Sequence, residues 1–395
     1  MLGTRERLTT NVYVDEHVLD EPERLAAADP GGLLRALATG GRQIRETWRL
    51  AEEAGAGRLG ADGRPRAVLV VGTGAAAGAS DVLAAAAGAT SPVPVIGHHD
   101  HGLPGWVGVA DVVLAISGSG RSPLTLNAVE EADRRGCRIL AVGPADTPLH
   151  YLAQRARAPF VAIDGARPER ASLWALATPL LVAGAALGVC RNAAVGAEAA
   201  AARLEEIATR SRPSSESFVN PAKLLALELA GTLPMIWGTS PATAAAASRA
   251  ATQLAVTAKY PVLHGGLPHP AIYQIAAFDG VFGARAAAAA SSDDDGLDDF
   301  FRDRVDDQLT TRLRLILLRD PGSEHPDVSR RADAGVRVAA ERGVGVTELS
   351  AAGSHPVERL ASLVGLLDYA SVYLAMLIGI DPSLEPAIHD LDRVR

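Results

Sequence analysis

Five short apolar runs in the first half of the chain, at residues 66–72, 93–97, 111–117, 137–143 and 160–164, alternate with stretches of helical periodicity. Parallel neighbours in a sheet need a crossover between them, so this rhythm specifies an α/β fold with a parallel sheet and covering helices. Ligands in such sheets sit at the carboxyl ends of the strands. The residues following each run are therefore the ones where chemistry is to be sought.

Three further runs, 233–238, 312–320 and 345–350, repeat the pattern more weakly in the second half. Between the halves, residues 209–223 are polar and carry two prolines, which marks a connection between domains. Residues 30–54 show helical periodicity that should pack on the first sheet. The expected organisation is a helical lead-in at 1–60, a first domain at 61–205 and a second at 206–395. Residues 286–300, rich in aspartate, read as a solvated acidic surface. The last helix should run over 360–379 and stop before Asp381 and Pro382.

Apolar residues make up 48% of the 395, enough for full cores, but aromatics only 4%, so alanine must fill many buried positions and helices should pack closely. The net charge of −8, with no Lys/Arg run longer than two, argues against nucleic acid or an anionic membrane as partner. Residues 173–190 form 18 uncharged positions, the lower limit for a membrane span, yet their alanines, glycines and Pro179 weaken the hydropathy. With no signal peptide ahead of it, this segment is expected to be a buried core helix. Cys137 and Cys190, the only cysteines, give neither a disulfide framework nor a zinc spacing, so a cytoplasmic setting is expected.

The run ending at Ser117 leads into "SGSGRSPL". Gly118 and Gly120 let the backbone turn, Ser122 is placed to cap a helix and Pro123 suits its first position. Hydroxyls and free N–H groups at a helix N-terminus favour an anion, usually phosphate. "VVGTGAAAGAS" supplies a second glycine-rich turn, in which Gly72 and Gly74 permit close backbone approach to a sugar or phosphate. Its G-x-G-x-x-x-G spacing fits a dinucleotide site only loosely. The cluster His98 to His101 suggests metal ligands, but adjacent residues on an extended chain face opposite sides, and no metal is expected. In "AKYPVLHGGLPHPAIYQ", a proline- and glycine-rich loop, Lys259, His264 and His269 offer groups able to move protons.

Together these residues resemble the sugar isomerase (SIS) domain, as two copies in the arrangement of the bifunctional phosphoglucose/phosphomannose isomerase family, from about Ala67 to the C-terminus. The resemblance implies two three-layer αβα sandwiches with parallel sheets, plus the helical N-terminal segment. The family's phosphate loop, S-x-S-G-x-T, corresponds to Ser117, Ser119, Gly120 and Ser122. Its R-D-Y-x-L-P strand exit corresponds to Asp100, Leu103 and Pro104. Arg170, in "RPERA", falls where a proline–arginine pair helps hold the substrate, and "DYASVYLAMLIGIDP" is similar to the last helix.

Aldose–ketose isomerisation needs a base between C1 and C2, an acid to open the ring and a positive group near the developing oxyanion. The family's basic glutamate, in Q-x-N-E-N-A-K, corresponds to Val256 in "QLAVTAK". Valine cannot accept a proton. The ring-opening histidine, supplied across a dimer interface, corresponds to His269, with Ala271 in place of the family's following acid; the terminal lysine falls near Asp392, beside Arg393. Glu228 and Asp279 are the carboxylates weighed as substitute bases.

The resemblance thus implies a cofactor-free, homodimeric protein that binds a hexose phosphate and isomerises it as glucose-6-phosphate or mannose-6-phosphate isomerases do. The alternative is a catalytically inactive phosphosugar-binding regulator or scaffold, with a sugar-phosphate enzyme as partner. A nucleotide-dependent oxidoreductase using the Gly72–Gly74 turn ranks third.

Overall fold

The structure, a computed structural model, describes residues 14–286 and 311–393; most of the acidic 286–300 segment lies outside them. Strands β1 (Val68–Val71), β2 (Val95–His98), β3 (Val112–Ile116), β4 (Arg138–Pro144) and β5 (Phe160–Ile163) pair in parallel in the order β2-β1-β3-β4-β5. β1 and β3 are buried along their whole length, as valine- and isoleucine-rich strands covered on both faces should be. Their order reverses at β1, which opens a crevice outside the carboxyl ends of β1 and β3.

A second parallel sheet joins β6 (Thr232–Gly238), β7 (Leu263–Gly266), β8 (Arg312–Arg319) and β9 (Gly345–Ser350) in the order β7-β6-β8-β9. It is the first sheet's arrangement without the last strand. β7 corrects the reading of this stretch as loop. Its two glycines hide the strand pattern, and packing explains them: a Cβ on Gly265 would come 2.6 Å from Pro270 Cγ, and one on Gly266 2.9 Å from Ala244 Cβ.

Before the first sheet come α1 (Pro22–Ala28), α2 (Leu33–Leu37) and α3 (Gly40–Glu53), the expected helical lead-in. Within and after it lie α4 (Ala75–Ala87), α5 (Pro123–Arg134), α6 (Pro148–Arg155), α7 (Leu173–Ala186) and α8 (Ala193–Arg210). The second half adds α9 (Pro221–Leu229), α10 (Pro241–Gln253), α11 (Pro270–Tyr273), α12 (Pro326–Glu341), α13 (Pro356–Leu377) and α14 (Pro386–Asp392). Alanine-rich faces let these helices approach closely: α4 packs on both α7 and α10, and α13 on α8, α9 and α10. One apolar core consequently runs through both halves.

α7 is buried through Gly184, as the apolar 173–190 segment should be. Among the described residues one helix, α13, is long and apolar enough to cross a membrane, and 89% of its apolar window lies inside the fold. The connection from α8 to α9 is tied down by its own polar groups. Asn220 caps α9 by accepting from Ala222 and Lys223 N–H, and the buried Lys223 ammonium donates to the carbonyls of Leu19, Pro213 and Ser215.

Arg249 on α10 and Asp368 on α13 form a buried two-pronged pair, Nε–Oδ1 and Nη2–Oδ2 both 3.1 Å. Removing one member of such a pair leaves a charge without its counter-ion, which typically costs about 3–5 kcal/mol. Asp368→Ala is therefore expected to lose stability of that order in urea unfolding. A loss under ~1 kcal/mol would show that the pair holds nothing together.

Candidate active site

The loop leaving β3 is built as its sequence suggests. Ser117 is buried, with its Oγ 3.4 Å from that of Ser119; Ser119 is exposed and accepts from Arg121 N–H at 3.2 Å. Ser122 caps α5, accepting from Thr125 N–H at 3.5 Å, and Pro123 occupies the first helical position. The Thr125 hydroxyl turns back to Ile116 O at 3.1 Å and fixes the helix against the strand. Gly120 has φ +66°, and a Cβ there would lie 2.3 Å from Thr147 Oγ1. No larger residue fits that turn without moving Thr147.

Across the crevice, Gly72 and Gly74 end β1 and begin α4. His99, just beyond β2, donates from Nδ1 to Gly72 O at 2.6 Å, and His98 Nε2 bonds Gly102 O, also at 2.6 Å. These bonds give both imidazoles structural partners. Asp81 on α4 lies near His99, His264 and Ser248, and desolvation raises its carboxyl above the usual value.

Between the two loops stands Glu169, a residue that sequence reasoning passes over. It begins a single turn, Glu169–Ala171, between β5 and α7. A Cβ on Gly118 would come 2.6 Å from its Cδ, and one on Gly74 3.1 Å from its Oε1. Desolvation pushes its carboxyl above the ordinary value, and Glu385 pushes the same way. The buried Gln43 of α3 holds this turn, donating to Ala171 O at 2.8 Å and accepting from Ala175 N–H at 3.1 Å.

Arg170 is engaged from behind. It pairs with Glu385 and donates to the carbonyls of Pro382 and Ser383. Arg249 in turn donates to Arg170 O. Lys259 reaches the same C-terminal segment, donating to Asp381 O at 3.1 Å, and desolvation with the nearby Arg170 charge lowers its pKa.

Val256 is half-buried in a π-helical turn, Leu254–Ala258, that ends α10. His269 is exposed at the start of α11, its ring edge-on to Tyr273 at 5.0 Å. The two carboxylates weighed as substitute bases are committed elsewhere in the second half. Glu228 is bound by Arg314 and Thr347, and Asp279 by Arg342. Arg393 pairs with Asp390 at 3.4 Å.

The equivalent crevice of the second sheet is closed by its own side chains. Ser240, after β6, donates to Asp320 Oδ2 at 2.7 Å, and Thr239 Oγ1 accepts the Asp320 N–H at 2.9 Å. Arg319 at the end of β8 is held by Glu324, Asp333 and Ser329. Among the described residues, only the first sheet presents a serine-lined loop at this switch point.

Two parallel sheets of related order, one with a hydroxyl loop at its switch point, are two copies of a SIS-type α/β fold. Residues 218–394 match the model of the bacterial phospho-glucose isomerase C-terminal SIS domain. The chain is 25% identical over 318 residues to the bifunctional phosphoglucose/phosphomannose isomerase of Caldicellulosiruptor bescii, covering 80% of this chain and 85% of that one. Residues 218–394 thus resemble a SIS domain, and the chain resembles that isomerase family. The fold is shared with a hypothetical protein of Thermus thermophilus (TM-score 0.66, 16% identity, 96% and 93% of the two chains covered). It is also shared with a phosphosugar isomerase-like protein of Clostridium difficile 630 (0.65, 13%, 92% and 98%) and with the tagatose-6-phosphate ketose/aldose isomerase of Escherichia coli (0.58, 14%, 94% and 97%).

The Gly120 turn provides a direct check on the loop. Gly120→Ala places a side chain in a left-handed conformation, costing about 1–2 kcal/mol before the contact with Thr147 is relieved. Thermal unfolding should show that loss. Unchanged stability would mean that the turn tolerates another backbone conformation.

Proposed function

We propose that the protein binds a hexose 6-phosphate with its phosphate in the loop Ser117–Ser122 and interconverts the aldose and ketose forms at the β1–β3 crevice. The observation that carries this reading is the contrast between the two switch points. Both copies share the strand order around the switch point, yet one is lined by serines and glycines and the other is closed by Asp320 and Arg319 with their partners. Hydroxyls and amides at the start of α5 suit a phosphate dianion. The named relatives, a phosphoglucose/phosphomannose isomerase and a tagatose-6-phosphate isomerase, support a phosphorylated hexose and an aldose–ketose shift. In this reading the protein acts as a cytoplasmic homodimer that brings the partner copy's His269 to the ring oxygen.

A second reading rests on Val256. Where the resemblance implies a basic glutamate, the π-helical turn carries a hydrocarbon side chain. A protein that binds the phosphosugar without turning it over, and signals its level to an enzyme of sugar-phosphate metabolism, fits that substitution.

Calorimetric titration with fructose 6-phosphate tests the binding step common to both readings. Ser119→Ala with Ser122→Ala should weaken affinity by about 2 kcal/mol, roughly 30-fold in Kd, since each hydroxyl contributes on the order of 1 kcal/mol toward a charged group. Equal affinity for fructose and fructose 6-phosphate, or no effect of the double substitution, would show that the loop serves only to cap α5.

A further inference from the structure

We propose that Glu169 is the acid–base residue of the isomerisation, the role for which position 256 offers only valine; the assignment rests on the isomerase reading above. Among the described residues, it is the carboxylate that touches both loops of the crevice. Its Cδ lies against Gly118, within the serine loop, and its Oε1 against Gly74, at the tip of β1. A sugar whose phosphate sits at the start of α5 would extend from one loop toward the other and pass this carboxyl. Glu228 and Asp279, by comparison, are held by arginines in the second half.

The surroundings suit proton exchange with carbon. Glu169 is exposed as a residue, so a ligand can reach it. Its carboxyl is nonetheless crowded by the strand-tip loops and by the Glu385 charge, which raises its proton affinity above that of a free glutamate. Gln43 fixes the backbone turn from which it projects. Arg170, the next residue in the chain, neutralises part of the Glu385 charge through its ion pair.

The step balances without any added reagent. The Glu169 carboxylate removes the proton on C2 of the open-chain aldose, and the C–H electron pair becomes the C1=C2 bond of a cis-enediol as the C1 oxygen takes up a proton. The resulting carboxylic acid delivers its proton to C1 while the C2 hydroxyl proton is released, leaving the C2 carbonyl. C2 is oxidised, C1 is reduced, and Glu169 returns to its starting form. The reverse reaction begins with removal of a C1 proton from the ketose.

The test follows deuterium incorporation from D₂O into fructose 6-phosphate by NMR, with phosphosugar affinity measured on the same samples. Glu169→Gln should lower the exchange rate by ~10²–10⁴-fold, the usual worth of a positioned base. Binding should be retained, because a neutral amide removes a negative charge beside the phosphate. Glu169→Asp keeps a carboxylate one methylene shorter and should exchange faster than the glutamine variant, so a folding defect in one variant cannot imitate the result. In the wild type, exchange should fall as the pH drops through a pKa above the ordinary glutamate value, because only the carboxylate accepts the proton. Wild-type exchange matched within a few-fold by Glu169→Gln would overturn the assignment and leave the isomerase reading standing. Wild-type binding without exchange would overturn both.

Discussion

The buried pair between Arg249 and Asp368 is the constraint on which the site depends. It joins α10 to α13 in the second half, and the same guanidinium donates to Arg170 O in the connection between β5 and α7. That connection carries Glu169. A charge pair inside one copy of the fold thereby sets the position of a carboxylate over the strand tips of the other. Gln43, from the helical lead-in, grips the turn from the opposite side. A short turn with no regular partner of its own is held by two buried polar groups from distant parts of the chain, which is how such a segment keeps a fixed geometry.

The two copies show how one topology supports different outcomes. At the first switch point the chain uses small and hydroxylated residues, Ser117 to Ser122, whose hydrogen bonds stay within the loop and the start of α5. At the second, Ser240 and Thr239 spend their hydrogen bonds on Asp320, and Arg319 gathers three carboxylates around itself, Glu324, Asp333 and Glu348. The second sheet contributes a docking face for α4 through α10 and the ion pair behind Arg170. Within one chain, its contribution to the first crevice is architectural.

Much of the fold could be read from the sequence because parallel buried strands are continuous apolar runs, and all five strands of the first sheet coincide with such runs. β7 escaped because glycines, required where Pro270 and Ala244 come close, erased its pattern. The serine loop was legible for a local reason: a strand end, two glycines, a cap and a proline stand in consecutive positions. Glu169 was not. Its place beside Gly74 and Gly118 comes from a crossover that returns the chain about 50 residues after the serine loop, and no spacing rule connects it to either glycine. Arg170 drew notice through the family resemblance, whereas its ties to Pro382, Ser383 and Glu385 depend on where the C-terminal segment docks.

A crystal structure of the protein with fructose 6-phosphate bound tests the central claim most directly. The account predicts the phosphate among Ser117, Ser119 and Ser122, with C1 and C2 within reach of the Glu169 carboxylate. Phosphate density at the second sheet's switch point, or a sugar lying with Glu169 outside contact distance of C1 and C2, would contradict it.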